Sequence, residues 1–417
     1  MLARWPGLAA LAASVLAATG CGGLSASAKT EATGNQLAIY SSLPLQGPLA
    51  ADSQQIINGE KLALAQAGGQ VGPFKIGYVS LDDADPTSGL WSAGVTASNA
   101  KTAAQDPSSI AYLGDFNSGA TAISLPVMNA AGILQVSPAS PYVGLTQSLD
   151  AGQDEPGRFY LSGRRNFGRL QPGDPVQAAA QVKLMSELGV HRVYVIDDQD
   201  PFQVPLATIA AGDAAHAGIK VLAHDSIATP AGATFTGEVE KVVQSGAQAV
   251  LFAGGGGAGA VALWRELHSA APHLLLLGTS SSNNEAFTSQ LGAAAAESYL
   301  TTPILATGLY SPPALRVLRA YHRSFAGEAG PYALIGYETM SAVLAAIRSA
   351  GARGNDRQAV IDRFFATYER PSVLGRYSIQ PDGETTLARY GVDRVRAGRA
   401  VFYRAVTVPA ATTAPGG

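Results

Sequence analysis

The stretch Gly114-Asp115-Phe116-Asn117-Ser118-Gly119-Ala120-Thr121 carries the most legible chemistry in the chain. A serine and a glycine open an apolar run, Gly119 to Ala130, whose pattern predicts a helix with Ser118 as its N-cap. The first turn of a helix leaves backbone N–H groups without partners at the positive end of the dipole, which makes it a ready seat for an anion. The Ser118 hydroxyl adds a hydrogen bond to the same carboxylate, and Gly119 lets a ligand approach the backbone. The competing reading is a cap satisfied by its own backbone.

Other patterns offer less. Gly254-x-Gly256-x-x-Gly259 has the form of a dinucleotide fingerprint and falls between a strand pattern and a helix pattern. The next strand ends in Gly278-Thr279-Ser280, with no acid for a ribose hydroxyl, so nucleotide binding is not expected. Asp82, Asp83 and Asp85 lack the spacing and terminal glutamate of a calcium loop and read as a solvated turn. His268 and His273 do not share a helical face. There is no G-x-S-x-G nucleophile elbow, and no catalytic constellation emerges, so the chain does not read as an enzyme and no cofactor or metal is expected.

The amino terminus reads as an export signal. Arg4 supplies a positive start, Gly7 to Ala18 an apolar stretch too short to span a bilayer, and Leu16-Ala17-Ala18-Thr19-Gly20-Cys21 a lipobox-like end. Residues 1–20 are thus expected to be a lipoprotein signal peptide and Cys21 the lipidated residue. Cys21 is the only cysteine, so the mature protein carries neither a disulfide nor a thiolate zinc site. Residues 21–36 are rich in Gly, Ser, Ala and Thr and read as a flexible tether; residues 410–417 read as a disordered tail. With 47% hydrophobic residues, 14% charged residues and a net charge of −3, the chain suits a globular protein with no attraction to nucleic acid.

Positioning these residues requires a scaffold. A chain of 417 residues exceeds what one core usually organises. Short apolar runs followed by turn residues predict strands at Leu37–Ser42, Phe74–Leu81, Ile110–Gly114 and Ile133–Ser137, then at Arg192–Asp197, Lys220–Ala223, Ala249–Ala253 and Leu274–Gly278, with a last one at Ala400–Val408. Helical patterns lie between them, including Asp52–Ala67 with Asp52 as N-cap, Pro175–Leu188 and Gly336–Ala350. This rhythm argues for an α/β protein of two doubly wound parallel-sheet lobes. Boundaries near Gly157–Asp174, Leu300–Pro312 and Pro381–Tyr390 divide the chain into lobe one, 37–168 with 303–388, and lobe two, 169–302 with 389–409, joined by a three-segment hinge. Ligands of such sheets bind beyond the carboxyl ends of the strands, here the gap between the lobes.

Residues 36 to 407 resemble the type I periplasmic binding proteins, and among them the leucine/isoleucine/valine-binding receptors of ABC transporters. The resemblance rests on Ser42-Leu43-Pro44-Leu45-Gln46-Gly47, on Gly59-x-x-Leu62-Ala63 followed by Gly68-Gly69, and on Asp82-Asp83-Ala84-Asp85-Pro86. It continues through Gly114 to Thr121, Ile133 to Ser140, and Gly336-Tyr337-Glu338-x-Met340, read as a helix start. It implies an exported receptor, anchored to the membrane, that captures a small polar solute, in the first place a branched-chain or other amino acid, by hinge closure and hands it to a permease. It also implies that Asn117, Ser118 and Gly119 grip the solute's carboxylate, that Ala139 and Ser140 touch its polar end, and that Ala253 and Gly254 form part of the lobe-two wall. Phe202 stands where the family has a cleft-facing tyrosine, and Gln203 replaces a glycine after it. Ser280 stands where the family has the acid that pairs with an α-ammonium. Asp115, Asp198, Asp200 or Glu285 would have to supply that charge. Otherwise an amide, a urea-like solute or an organic acid fits instead, and a sensory receptor of the same fold is the alternative role.

Overall fold

The computed structural model describes residues 31–327 and 329–408; the signal segment, Cys21, most of the tether and the tail lie outside the described residues. Two sheets organise the chain. The first has six strands: β1 (Gln36–Leu43), β2 (Gln70–Val71), β3 (Phe74–Asp82), β4 (Ser109–Gly114), β5 (Leu134–Ser137) and β6 (Phe167–Arg169), in the order β2-β3-β1-β4-β5-β6. The second has seven: β7 (Arg192–Asp197), β8 (Lys220–Ser226), β9 (Ala249–Ala253), β10 (Leu275–Gly278), β11 (Ser298–Thr302), β14 (Arg389–Arg396) and β15 (Arg399–Thr407), in the order β15-β14-β11-β10-β9-β7-β8. A hairpin of β12 (Arg370–Ser372) and β13 (Gly375–Tyr377) stands apart. All pairs are parallel except β2–β3, β11–β14, β14–β15 and the hairpin.

The apolar runs form parallel strands because helices cover both faces and leave no solvent side to be polar; β4 and β9 are buried at every position. On the first sheet, α1 (Ala50–Gln66), α10 (Pro331–Ala350) and α11 (Arg357–Phe365) close one face around Leu37, Ile39 and Phe74, while α2 (Ala93–Gln105) and α3 (Ser118–Ala130) close the other around Tyr40 and Tyr112. On the second, α4 (Asp174–Glu187) and α5 (Val204–His216) pack against Val193 and Val195, and α6 (Thr236–Ser245) with α7 (Ala258–Ala270) packs against Tyr194 and Phe252. The short α8 (Glu285–Thr288) adds Phe287 to that core. Helix α9 (Pro312–Ser324) joins α1 and α10 through Ala314, Val317 and Tyr321.

The chain passes between the sheets three times: after β6, after β11, and between the hairpin and β14. Several elements differ from the sequence reading. Helix α1 begins at Ala50 behind Leu49, so Asp52 lies in the first turn and is not the cap. Helix α10 begins at Pro331, so Gly336 is inside it and not at its start. There Gly336 and Gly59 are the contact points of α10 and α1: a Cβ on either would come within 2.1 Å of a carbonyl oxygen of the facing helix. Strand β6 falls inside a stretch that reads as a boundary, and β11 and β14 each overlap the edge of one.

Candidate functional site

Two loops leave the carboxyl ends of neighbouring strands in the first sheet, and the sequence knits them together. Ser137, the last residue of β5, donates its hydroxyl to the Asp115 carbonyl at 2.8 Å and accepts the N–H groups of Ala139 at 3.1 Å and Ser140 at 2.9 Å. Ser140 is fully buried, and its hydroxyl bonds the Asp115 carbonyl at 2.9 Å and the Thr121 hydroxyl at 2.7 Å. Thr121 in turn accepts the Asp115 N–H at 3.1 Å. Ser137 and Ser140 therefore tie this loop to Asp115 and Thr121 at the start of α3, while Ala139 bonds only within its own loop.

Asn117, not Ser118, is the N-cap of α3; Ser118 is the first helical residue, because the backbone turns extended only at Asn117. The Asn117 side chain makes no cap bond, and its Oδ1 is buried without a partner. The Ser118 hydroxyl accepts the Tyr142 N–H at 3.3 Å. The N–H groups of Ser118, Gly119 and Ala120 find no acceptor among the described residues. The helix start thus offers three open amide donors, one residue displaced from the expected Ser118 cap.

Both lobes reach this point. A Cβ on Gly119 would lie 2.6 Å from the Trp91 ring and 3.0 Å from the Phe202 ring. Trp91 comes from the loop after β3; Phe202 comes from the loop between β7 and α5 and crosses the gap to meet Tyr142 edge-on at 5.1 Å. The structure is thus closed, with two aromatic rings on the helix start.

The remaining site residues belong to lobe-two loops. Gly254 has no room for a side chain, since a Cβ would come within 2.8 Å of the Asp198 carboxyl carbon. Ala253 is fully buried in the lobe-two core, and only its carbonyl, which accepts the Asp198 N–H at 3.2 Å, faces the loop. Ser280 donates its hydroxyl to Gln177 at 2.9 Å. Gln203 ties the Phe202 loop to the Ser280 loop by donating to Ser281 at 2.8 Å and accepting from Thr279 at 3.4 Å. Asn117, Ser118, Gly119 and Phe202 are brought together; Gly254 and Ser280 share the lobe-two rim. The dinucleotide-like glycines have packing reasons, because Gly256 abuts Phe287 and Gly259 abuts the Thr229 backbone.

Most of the acids that could stand in for the missing one are engaged. Asp198 accepts the N–H of Asp200 at 3.1 Å and of Gly255 at 2.8 Å, and Asp200 accepts the Phe202 N–H at 2.7 Å. Asp115 accepts from Tyr112 at 3.0 Å, from Gln135 at 3.4 Å and from Ser124. Burial pushes the Asp115 carboxyl up to about 7 against the pull of those hydroxyls. Glu285 is exposed on α8.

Three contributors escaped the sequence reading: Trp91, Tyr142 and Arg169. Arg169 is fully buried and donates to the carbonyls of Ser140 at 2.7 Å and Tyr142 at 2.9 Å, to Thr146 at 2.7 Å, and to both oxygens of Glu384. Burial opposes its charge, and Glu384 more than offsets this, holding its pKa above the usual value. Its signal was an arginine at the end of an apolar Phe-Gly pair in a stretch otherwise read as linker.

Against known proteins, residues 41–398 match the model of a periplasmic binding protein family. The chain belongs to the periplasmic binding protein family. A leucine binding protein from Thermotoga maritima superposes with a TM-score of 0.72 at 19% identity, covering 89% of this chain and 99% of that one. A branched-chain amino acid transporter substrate binding protein from Streptococcus pneumoniae, in complex with isoleucine, gives 0.69 at 20% identity, with 89% and 99% covered. A solute binding protein of an ABC transporter from R. palustris, in complex with benzoate, gives 0.67 at 15% identity, with 90% and 98% covered. No curated protein matches the sequence. As a periplasmic binding protein the chain has the two α/β lobes and the inter-lobe gap that suit solute capture. Among the described residues no helix is long and apolar enough to cross a membrane, and no group of three or more His, Cys, Asp or Glu is placed to hold a metal.

Proposed function

We propose that this chain is the extracytoplasmic solute receptor of an ABC transporter, held at the outer face of the cytoplasmic membrane by a lipid on Cys21. It is a binding protein and not an enzyme. Lobe one, residues 37–168 with 303–388, receives the solute's carboxylate on the amides of Ser118, Gly119 and Ala120. Lobe two, 169–302 with 389–409, closes over it with Phe202, while the Gly254 and Ser280 loops form the far rim. The closed form then presents a surface from both lobes to the permease. The observation that carries this reading is the run of three amides, without an acceptor among the described residues, at a place where aromatic rings from both lobes meet. In that closed arrangement Phe202 lies over the seat, so the solute enters when the lobes part and the ring swings off Gly119.

A small amino acid and a simple organic acid share the carboxylate this seat takes, as do the isoleucine and benzoate bound to two of the similar proteins. The engagement of Asp115, Asp198 and Asp200 by their own loops, together with a serine at 280, favours the acid without an ammonium, because a buried ammonium needs an anionic partner.

The test is mass spectrometry of small molecules released from the purified protein, followed by thermal shift with amino acids and with their deaminated counterparts. A carboxylate that raises Tm in the wild type and fails to do so in Gly119→Val supports the reading. A panel in which no carboxylate shifts Tm sinks it.

A further inference from the structure

The hinge carries a cavity of its own. It has a volume of about 190 Å³, and its walls come from all three segments that cross between the sheets: Leu170 from the first, Leu305 and Tyr310 from the second, Leu387 and Arg389 from the third, with Ile335 of α10 closing it. We propose that this cavity binds a small amphiphilic carboxylate, an apolar ring or short chain bearing one negative charge, and that the bound molecule biases the opening of the lobes.

The chemistry of the lining argues for that class. The leucines and Ile335 form an apolar floor, and no acidic side chain lines the cavity. Tyr310 is turned inward, its hydroxyl held by the Leu305 N–H at 3.1 Å. Arg389 is exposed at the rim and forms neither a hydrogen bond through its side chain nor an ion pair with any described residue. The cavity is not wholly apolar, since Gln171, Thr386 and Arg376 also line it, and an unpaired guanidinium at the rim of such a mixed pocket suits an anion with an apolar body. The size fits as well, since a cavity of about 150 Å³ lined by Leu, Ile and Phe suffices for benzene.

The position argues for the effect. A cavity walled by three separate crossings cannot keep its shape while the two lobes rotate about those crossings. Its affinity for any occupant therefore differs between open and closed forms, and the occupant shifts that equilibrium. By linkage, the solute in the main cleft alters the affinity of the hinge site by the same factor. The site does not depend on which solute the main cleft takes.

The probe is 3-phenylpropionate, titrated into the full mature chain with isotope-labelled Ile, Leu and Val methyl groups. Shifts are expected at Ile335, Leu305 and Leu387. Arg389→Gln, a change at an exposed side chain, weakens binding at least tenfold, and Leu387→Trp, which fills the cavity from a half-buried position, abolishes it while the remaining methyl spectrum is unchanged. Saturation also changes the radius of gyration in small-angle scattering. No methyl shift up to millimolar concentration overturns the site. So do shifts confined to Leu125 and Val143 beside the main cleft, and so does binding that Arg389→Gln leaves intact. Binding with an unchanged radius of gyration overturns the effect on the hinge.

Discussion

Arg169 connects the floor of the candidate site to the hinge through one side chain. Replacing it with methionine keeps most of the apolar stem but leaves Glu384 buried without its cation and two loop carbonyls without donors. Breaking a buried pair in this way costs about 3–5 kcal/mol, so a clear drop in the urea midpoint is expected, together with weaker solute binding as the Ser140–Tyr142 loop loosens. A midpoint within error of the wild type would show that the network is not what holds that loop. Two other buried acids make stability depend on pH. Burial raises the Glu60 carboxyl to about 8, and burial, aided by Asp115 and Asp82, raises Asp83 to about 8. A folded-state pKa above the unfolded value means the native chain holds more protons, so the contribution is complete below about pH 4 and is lost as pH rises towards 8. Urea unfolding at pH 5 and pH 8 is expected to show the higher stability at pH 5, and Asp83→Asn is expected to flatten that slope. At this scale the start of α3 was legible to within one residue because helix starts announce themselves in the sequence. Trp91 and Arg169 were not, because their partners are distant in the chain and neither sits in a periodic pattern.

Among the elements, the crossing of α1 and α10 is the most exacting contact. Gly59 and Gly336 let the two backbones touch, and each faces a carbonyl oxygen that cannot move aside as a flexible side chain would. Overpacking a core usually costs about 1–3 kcal/mol; Gly336→Val is expected to lie at or above the top of that range, read as a fall in Tm. Gly212, whose added Cβ would meet nothing within 4 Å, gives the control, since Gly212→Ala is expected to leave Tm unchanged or raise it slightly. The buried parallel strands were legible as apolar runs. β11 was missed because Ser-Tyr-Leu-Thr-Thr is polar in composition although every residue is buried. β14 was missed because its alternating arginines mark a strand beside a solvated edge, where one face stays polar. Gly336 looked like a helix start because a mid-helix glycine is uncommon, and only the facing helix explains it.

For the molecule as a whole, two lobes meeting through Phe202 and Tyr142 imply that closure is set by how tightly that pair packs. Phe202→Ala removes the ring that bridges the gap, and an aromatic pair contributes about 0.5–1.5 kcal/mol beyond its buried area. The variant is expected to populate the open form more, seen as a larger radius of gyration without solute, and to bind solute several-fold more weakly. A variant as compact as the wild type would mean that the closed form is held elsewhere. The two-lobe architecture was legible because the same strand–helix rhythm occurs twice.

The threefold passage of the chain between its sheets also dictates the order in which the protein can become whole. All six strands of the first sheet precede residue 170, yet α10 and α11, which cover one of its faces, come after residue 330. A growing chain therefore carries a hydrophobic sheet face covered only by α1 for about two-fifths of its length, and only its last fifth seals it. A fragment ending at Thr302 is expected to bind a hydrophobic dye and aggregate, and to be rescued by a separately added segment spanning residues 303–408.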